Sequence, residues 1–303
     1  MTGEQLKNGN DVLRRTAPAK LNLFLHVVGR RSDGYHELES LFVFTRNGDE
    51  IEAEASENLT IEIVGPFAKA LVATGGVESD NLVMKAAHAL KAHAGVNLGA
   101  KIKLWKNLPV ASGIGGGSAD AAAALLVLRE LWALDIADTM MQELALGLGA
   151  DVPACLHSAP VQVSGIGERI APVALSCSYG VLLVNPGAAL STPAVFGAFH
   201  NAKNGFRQPL DRWTAGKNQN EMQWLEASTF NDLEKPAVVL CPEIQEVLAL
   251  LRQTPNAKLV RMSGSGATCF ALFDTPEQAV EAGQRIQELH MDWWCWSDQL
   301  NAG

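Results

Sequence analysis

Between Pro109 and Ala119 the chain reads Pro-Val-Ala-Ser-Gly-Ile-Gly-Gly-Gly-Ser-Ala, and a run of alanines and leucines follows directly. Gly113, Gly115, Gly116 and Gly117 give the main chain unusual freedom and let a ligand come close. The residues after them are strong helix formers, and Ser118 is placed to cap the helix they predict, which runs to about Leu134. A helix mouth with unpaired N–H groups and the positive end of its dipole holds phosphate. The competing reading is a plain glycine turn between a strand and a buried helix.

Two common phosphate loops do not fit the letters. No lysine follows the last glycine, as the Walker pattern requires, and Ser118 stands where GxGxxG needs its third glycine. Asp135 lies at a suitable distance for a dinucleotide-binding acid, but it ends a predicted helix rather than a strand.

The loop resembles that of the GHMP kinase superfamily, whose pattern is Pro-x-x-x-Gly-Leu-Gly-Gly-Gly-Ser-Ser. The stretches PAKLNLFLHVVGRRSDGYHELES, LGADVP and RMSGSGATCFALF extend the resemblance from residue 17 to about 275. Ala119 replaces the second serine of the loop, and Ala111-Ser112 replaces a glycine-rich pair. The resemblance implies ATP-dependent phosphorylation of a small-molecule alcohol, with Mg2+ carried by the nucleotide. It implies two domains, an N-terminal ribosomal-protein-S5-like one with left-handed βαβ character and a C-terminal ferredoxin-like α/β one.

Residue roles carry over by matching position. Lys20 and Asp151 match a lysine and an aspartate at the acceptor hydroxyl, where a carboxylate takes the proton and an ammonium favours the developing alkoxide. An ion pair with a purely structural role is the alternative. ATP falls to Asn81 and Lys106 near the adenine and to Pro109, Val110, Ala111, Ser112, Gly113, Ile114, Gly115, Gly116, Gly117, Ser118 and Ala119 along the phosphates, with Ser118 also near the magnesium. The run Ser263–Gly266 is expected beside them. The acceptor, a cytidine diphosphate of a small alcohol, falls to Asn22, Tyr35, His36, Thr192 and Phe196, with Tyr35 and Phe196 stacking on the base. Read singly, Tyr35-His36 is a turn exit and Phe196 a core residue. Other GHMP acceptors such as mevalonate, homoserine or a sugar, and a non-catalytic nucleotide sensor, are the rival readings.

The elements that must hold these residues are legible in outline. Residues 19–29 alternate Leu21, Leu23, Leu25 and Val27 with Asn22, Phe24 and His26, a strand with one apolar face. A turn at Asp33-Gly34 leads to a second strand, and DEIEAEA and LTIEIVG read as two more. Helices are expected over 81–94, 139–148, from Ser191, over 242–252 and over 275–290, and strands at 100–109, 160–170, 179–187, around 258–273 and at WWCW near the C-terminus. Strands and helices mix without a regular βαβ rhythm, so the class is α+β, with a domain change placed near residue 160. The first dozen residues and 201–221 read as loose or loop material.

Composition narrows the rest. The 303 residues carry a formal charge of −9, are 48% hydrophobic and 19% charged, which supports a sizeable core and argues against broad attraction to nucleic acid or anionic membrane. Five widely spaced cysteines without a CxxC pair point to reduced thiols and a cytoplasmic protein. His88 and His93 are five apart, off the helical spacing of a metal pair. No leader segment and no apolar run long enough for a spanning helix is expected. The partners expected are small molecules, with the chain a monomer or weak homodimer.

Overall fold

The computed structural model describes residues 12–75, 80–202, 205–210 and 221–302. The expectations for residues 1–11 and for most of 201–221 lie outside them. Two compact units interleave along the sequence. The first takes the described residues of Met1–Ala19, Asn47–Val110 and Gly116–His157, the second those of Lys20–Arg46, Ala111–Gly115 and Ser158–Gly303. The chain changes unit within two long strands, β1 (Leu13–Arg30) and β2 (His36–Ser56).

In the first unit the far half of β2 runs antiparallel to β4 (Gly99–Trp105), with Glu50 opposite Trp105 and Ser56 opposite Gly99, and β3 (Leu59–Val64) lies parallel to β4. DEIEAEA is therefore the continuation of β2 rather than a strand of its own. Gly48 lies within β2, where a Cβ would stand 2.2 Å from the Ala17 carbonyl oxygen, so the glycine serves the close passage of β1. The helices are α1 (Ala68–Ala73), α2 (Leu82–Ala94), α3 (Gly116–Leu131), α4 (Asp138–Leu148) and α5 (Val152–His157). α3 is fully enclosed on one side, with Ala119 and Ala121 through Ala124 buried, and side chains this short let α2, α4 and α5 pack close against it. The short helices α1 and α5 were not legible in the sequence.

In the second unit the near half of β2 pairs with β5 (Val161–Gly165), which forms a hairpin with β6 (Arg169–Pro172). A separate antiparallel sheet has the order β10-β7-β9-β8, from β7 (Gly180–Asn185), β8 (Leu259–Met262), β9 (Cys269–Phe273) and β10 (Trp294–Gln299). The helices are α6 (Thr192–Asn201), α7 (Glu221–Ser228), α8 (Glu234–Leu240), α9 (Glu243–Gln253) and α10 (Pro276–Leu289). Leu182, Val184, Ala271 and Phe273 of the sheet share one core with Val247, Leu251 and Ile286 of the helices, and β1 adds Leu25 and Val27 to it. Mixed order and two sheets make the class α+β, as expected. Among the described residues no helix is long and apolar enough to cross a membrane.

Both faces of β1 are enclosed: Asn22, Phe24 and His26 are as buried as the leucines between them. His26 lies between the rings of Phe24 and Phe230, at 5.0 and 4.7 Å, and its Nε2 accepts the Phe230 N–H. Burial lowers its pKa to about 4 against the pull of Asp232, with Arg207 and Arg261 acting in the same direction as burial. The unfolded chain binds this proton more readily, so the stability it confers is present above pH 6.5 and drains away as the pH falls toward 4. Between pH 7 and 5 the site should cost roughly 2 kcal/mol, and urea unfolding of His26→Gln at both pH values should show that loss removed.

Candidate functional site

Residues 111–115 are fixed within the second unit by main-chain contacts. Ala111, Gly113 and Gly115 have φ of 51°, 77° and 64°, three left-handed residues in a row of five. The Thr268 N–H donates to the Ser112 carbonyl at 3.1 Å, and the Ser263 hydroxyl donates to the Gly113 carbonyl at 3.0 Å while accepting the Asn22 N–H at 3.2 Å. Gly113 has no room for a side chain: a Cβ there would lie 2.5 Å from the Ser263 oxygen and 2.7 Å from that of Gly266. The stretch Ser263–Gly266 thus lies against the loop.

Lys20 lies under the same loop. Its N–H donates to the Ile114 carbonyl at 2.8 Å, and its stem is 3.0 Å from where a Gly115 Cβ would stand. Its Nζ donates to Asn22 Oδ1 at 3.0 Å and stands 4.1 Å over the Phe42 ring. Asn22 Nδ2 in turn donates to the Ser40 hydroxyl at 2.8 Å. One amide and one ring face thus help to fix the position of the ammonium.

The first unit holds the other half of the prediction. α3 begins at Gly116, so Ser118 lies inside its first turn and does not cap it. The misreading has a physical cause: Gly115 is the last left-handed residue, and the chain becomes helical directly after it. Gly117 is exposed, with only Leu82 Cδ1 within 4 Å of a Cβ there, whereas Gly116 would press on Lys106 Nζ at 3.1 Å. Asn81 caps α2 through its Oδ1, which accepts the Val83 N–H at 2.8 Å. Lys106, which in isolation reads as a solvated strand end, is buried and bonded to Asp49 and Asp120, two acids that carried no sequence signal of their own. Asp151 lies partly exposed between α4 and α5, and its carbonyl accepts the Cys155 N–H at 3.2 Å.

On the acceptor side, again in the second unit, His36 lies face to face with Phe196, with centroids 4.7 Å apart and planes 20° apart, and edge-on to Phe199. Burial, then the charges of Arg30 and His200, push the His36 pKa down, which favours the neutral ring, and its Nε2 is buried with no hydrogen-bond partner among the described residues. Tyr35 is 63% exposed. Thr192 Oγ1 lies 2.8 Å from Ser265 Oγ, which ties the start of α6 to the stretch that braces the glycine loop.

A cavity of about 1180 Å³ in the second unit, lined by His26, Arg207, Phe230, Asp232 and Arg261 among others, includes none of the predicted site residues. Its charges are largely paired, Arg207 with Asp232 and Arg252 with Glu234, so depth alone does not make it the reactive centre. No group of three or more His, Cys, Asp or Glu side chains among the described residues could hold a metal ion.

Compared with known proteins, residues 81–159 match the model for the GHMP kinases N terminal domain and residues 214–290 that for GHMP kinases C terminal. The 4-diphosphocytidyl-2-C-methyl-D-erythritol kinase of Parvibaculum lavamentivorans is 46% identical over 280 residues, covering 92% of this chain and 94% of its own. That of Granulibacter bethesdensis is 45% identical over 288 residues, covering 94% of this chain and 93% of its own. A crystal structure of 4-(cytidine 5'-diphospho)-2C-methyl-D-erythritol kinase superposes with a TM-score of 0.77 at 32% identity, covering 96% of this chain and all (100%) of that one.

Proposed function

The chain belongs to the GHMP kinase family, and from that premise we propose that it transfers a phosphoryl group from ATP to the 2-hydroxyl of 4-diphosphocytidyl-2-C-methyl-D-erythritol, a step in the non-mevalonate route to isoprenoid precursors. The observation that carries the acceptor is the His36–Phe196 stack beside an exposed Tyr35. Flat rings and a neutral imidazole suit a pyrimidine, with stacking on a base worth ~1 to 3 kcal/mol. Mevalonate and homoserine would leave such a platform idle.

The donor suits the loop. Main-chain N–H groups at the open end of α3, with no side chain at Gly115, Gly116 or Gly117 to obstruct them, are a setting for a polyphosphate. Lys20 neutralises charge that builds on the acceptor oxygen, and Asp151 takes the acceptor's proton. Thr192 and Asn22 orient the acceptor. Magnesium is proposed to arrive with the nucleotide, with Ser118 the nearest hydroxyl, since the described residues offer no carboxylate cluster for it. Free cysteines at Cys155, Cys177, Cys241, Cys269 and Cys295 are in keeping with a cytoplasmic enzyme, working as a monomer or weak homodimer.

An ADP-release assay over four acceptors tests the reading. Turnover is expected with the cytidine diphosphate alcohol, and mevalonate, homoserine and galactose should give background rates. Preference for any of those three would overturn it.

A further inference from the structure

Asn22, whose Oδ1 accepts from Lys20 Nζ at 3.0 Å, owes the direction of its side-chain amide to Ser40 on the neighbouring strand. Lys20, Asn22 and Ser40 are 4%, 2% and 2% exposed, so water does not stand in for any of these partners. β1 pairs with β2, and Ser40 and Phe42, two apart on β2, meet Asn22 and Lys20 of β1. Phe42 touches the ammonium directly through its ring face. Ser40 reaches it through Asn22.

An asparagine amide has a donor end and an acceptor end of nearly the same shape, so a neighbour must decide which end faces the lysine. The Ser40 hydroxyl lies 2.5 Å from the Phe24 carbonyl oxygen. A carbonyl only accepts, so the single hydroxyl proton is committed to it, and the same Oγ has only lone pairs to offer Asn22 at 2.8 Å. The end of Asn22 that faces Ser40 is therefore Nδ2, and Oδ1 is left for the ammonium. We propose that Ser40 is a positioning residue for phosphoryl transfer: by fixing the Asn22 amide, it holds Lys20 Nζ where charge builds on the acceptor oxygen. The inference rests on the role proposed for Lys20.

Without the hydroxyl, neither orientation of the amide is satisfied. With Oδ1 toward the lysine, Nδ2 is buried and has lost its acceptor; with the amide turned over, Nδ2 meets the ammonium donor to donor. The main-chain ties of the same strand do not involve Ser40. The Asn22 N–H still donates to the Ser263 hydroxyl at 3.2 Å and the Lys20 N–H to the Ile114 carbonyl at 2.8 Å, so the brace on the glycine loop is kept.

Steady-state kinetics of three variants with ATP and the cytidine diphosphate alcohol test this, each variant first checked for its fold by circular dichroism. Ser40→Ala and Ser40→Cys should lower kcat about tenfold and leave the KM for ATP within about twofold of the parent, since misplacing a reacting group by ~1 Å costs up to 10²-fold. A thiol fills the place of the hydroxyl but bonds weakly, so the cysteine variant separates the hydrogen bond from the packing. Ser40→Thr keeps the hydroxyl and should return kcat to within about threefold of the parent, the stem of the relay being intact. Parental kcat in a folded alanine or cysteine variant, a KM for ATP that rises as much as kcat falls, or a threonine variant no better than alanine would overturn the inference. Failure of both the alanine and the cysteine variant to fold would assign Ser40 to the scaffold and overturn it as well. A parent protein that does not turn over this acceptor would overturn the proposed reaction, and the inference with it.

Discussion

Replacing Asp151 by asparagine is expected to lower kcat at least a hundredfold while the protein stays folded and its KM for ATP stays near that of the parent. The substitution keeps size and shape and removes the charge and the proton acceptor, and a positioned base typically contributes ~10² to 10⁴-fold. The hydrogen bond that starts α5 runs from the Cys155 N–H to the Asp151 carbonyl and survives the substitution. Thermal unfolding should therefore shift by only a few degrees, of the order that ~1 kcal/mol produces. Turnover within a few-fold of the parent would remove Asp151 from the proposed role, and a collapse of stability would reassign it to the scaffold.

The second large effect separates two glycines of one loop. Gly113→Ala should cost about 3 kcal/mol or more and raise the KM for ATP at least tenfold, because strain and collision coincide there. Its φ is 77°, and the added carbon would meet Ser263 and Gly266 main-chain atoms at 2.5 to 2.8 Å, none of them the movable end of a side chain. Gly117→Ala should behave in the opposite way on stability. Its carbon meets only a leucine methyl at 3.4 Å, and alanine in a helix is favoured over glycine by up to ~1 kcal/mol, less in the first turn where Gly117 lies. If Gly117 is bare so that phosphate can approach, its alanine variant gains stability and still binds ATP more weakly. Thermal melts paired with ATP titrations read both outcomes, and unchanged ATP affinity in Gly117→Ala would mean that the donor does not pass over that residue.

What the sequence disclosed and what it hid divide by range. The glycine loop, the alanine-rich helix after it and the β1 alternation are local signals, set within a dozen residues, and each appears in the structure. The Ser118 cap failed because the rule that ranks serine first at a helix start takes no account of a left-handed Gly115 immediately before the helix. Gly48 answers a contact with Ala17, thirty-one positions earlier, which no local pattern shows. Asp49 and Asp120 were invisible because they lie 57 and 14 residues from Lys106, and neither has a neighbour in sequence that marks it as buried. The brace that Ser263 forms between Gly113 and Asn22 spans 150 and 241 residues, beyond any spacing rule.

The interleaving of the two units bears on how a ribosome can deliver this chain. Residues 20–46 emerge early yet belong with partners made much later: Leu38–Phe42 must wait for Val161–Gly165 to form its ladder, and Leu25 and Val27 for a core that closes with Ile286 and Trp293. A nascent chain of some 160 residues therefore exposes an unsatisfied strand edge and an apolar stretch, the usual substrates of trigger-type chaperones and the usual seeds of inclusion bodies. Truncation at the apparent midpoint should yield insoluble fragments, and a split enzyme would have to be cut elsewhere.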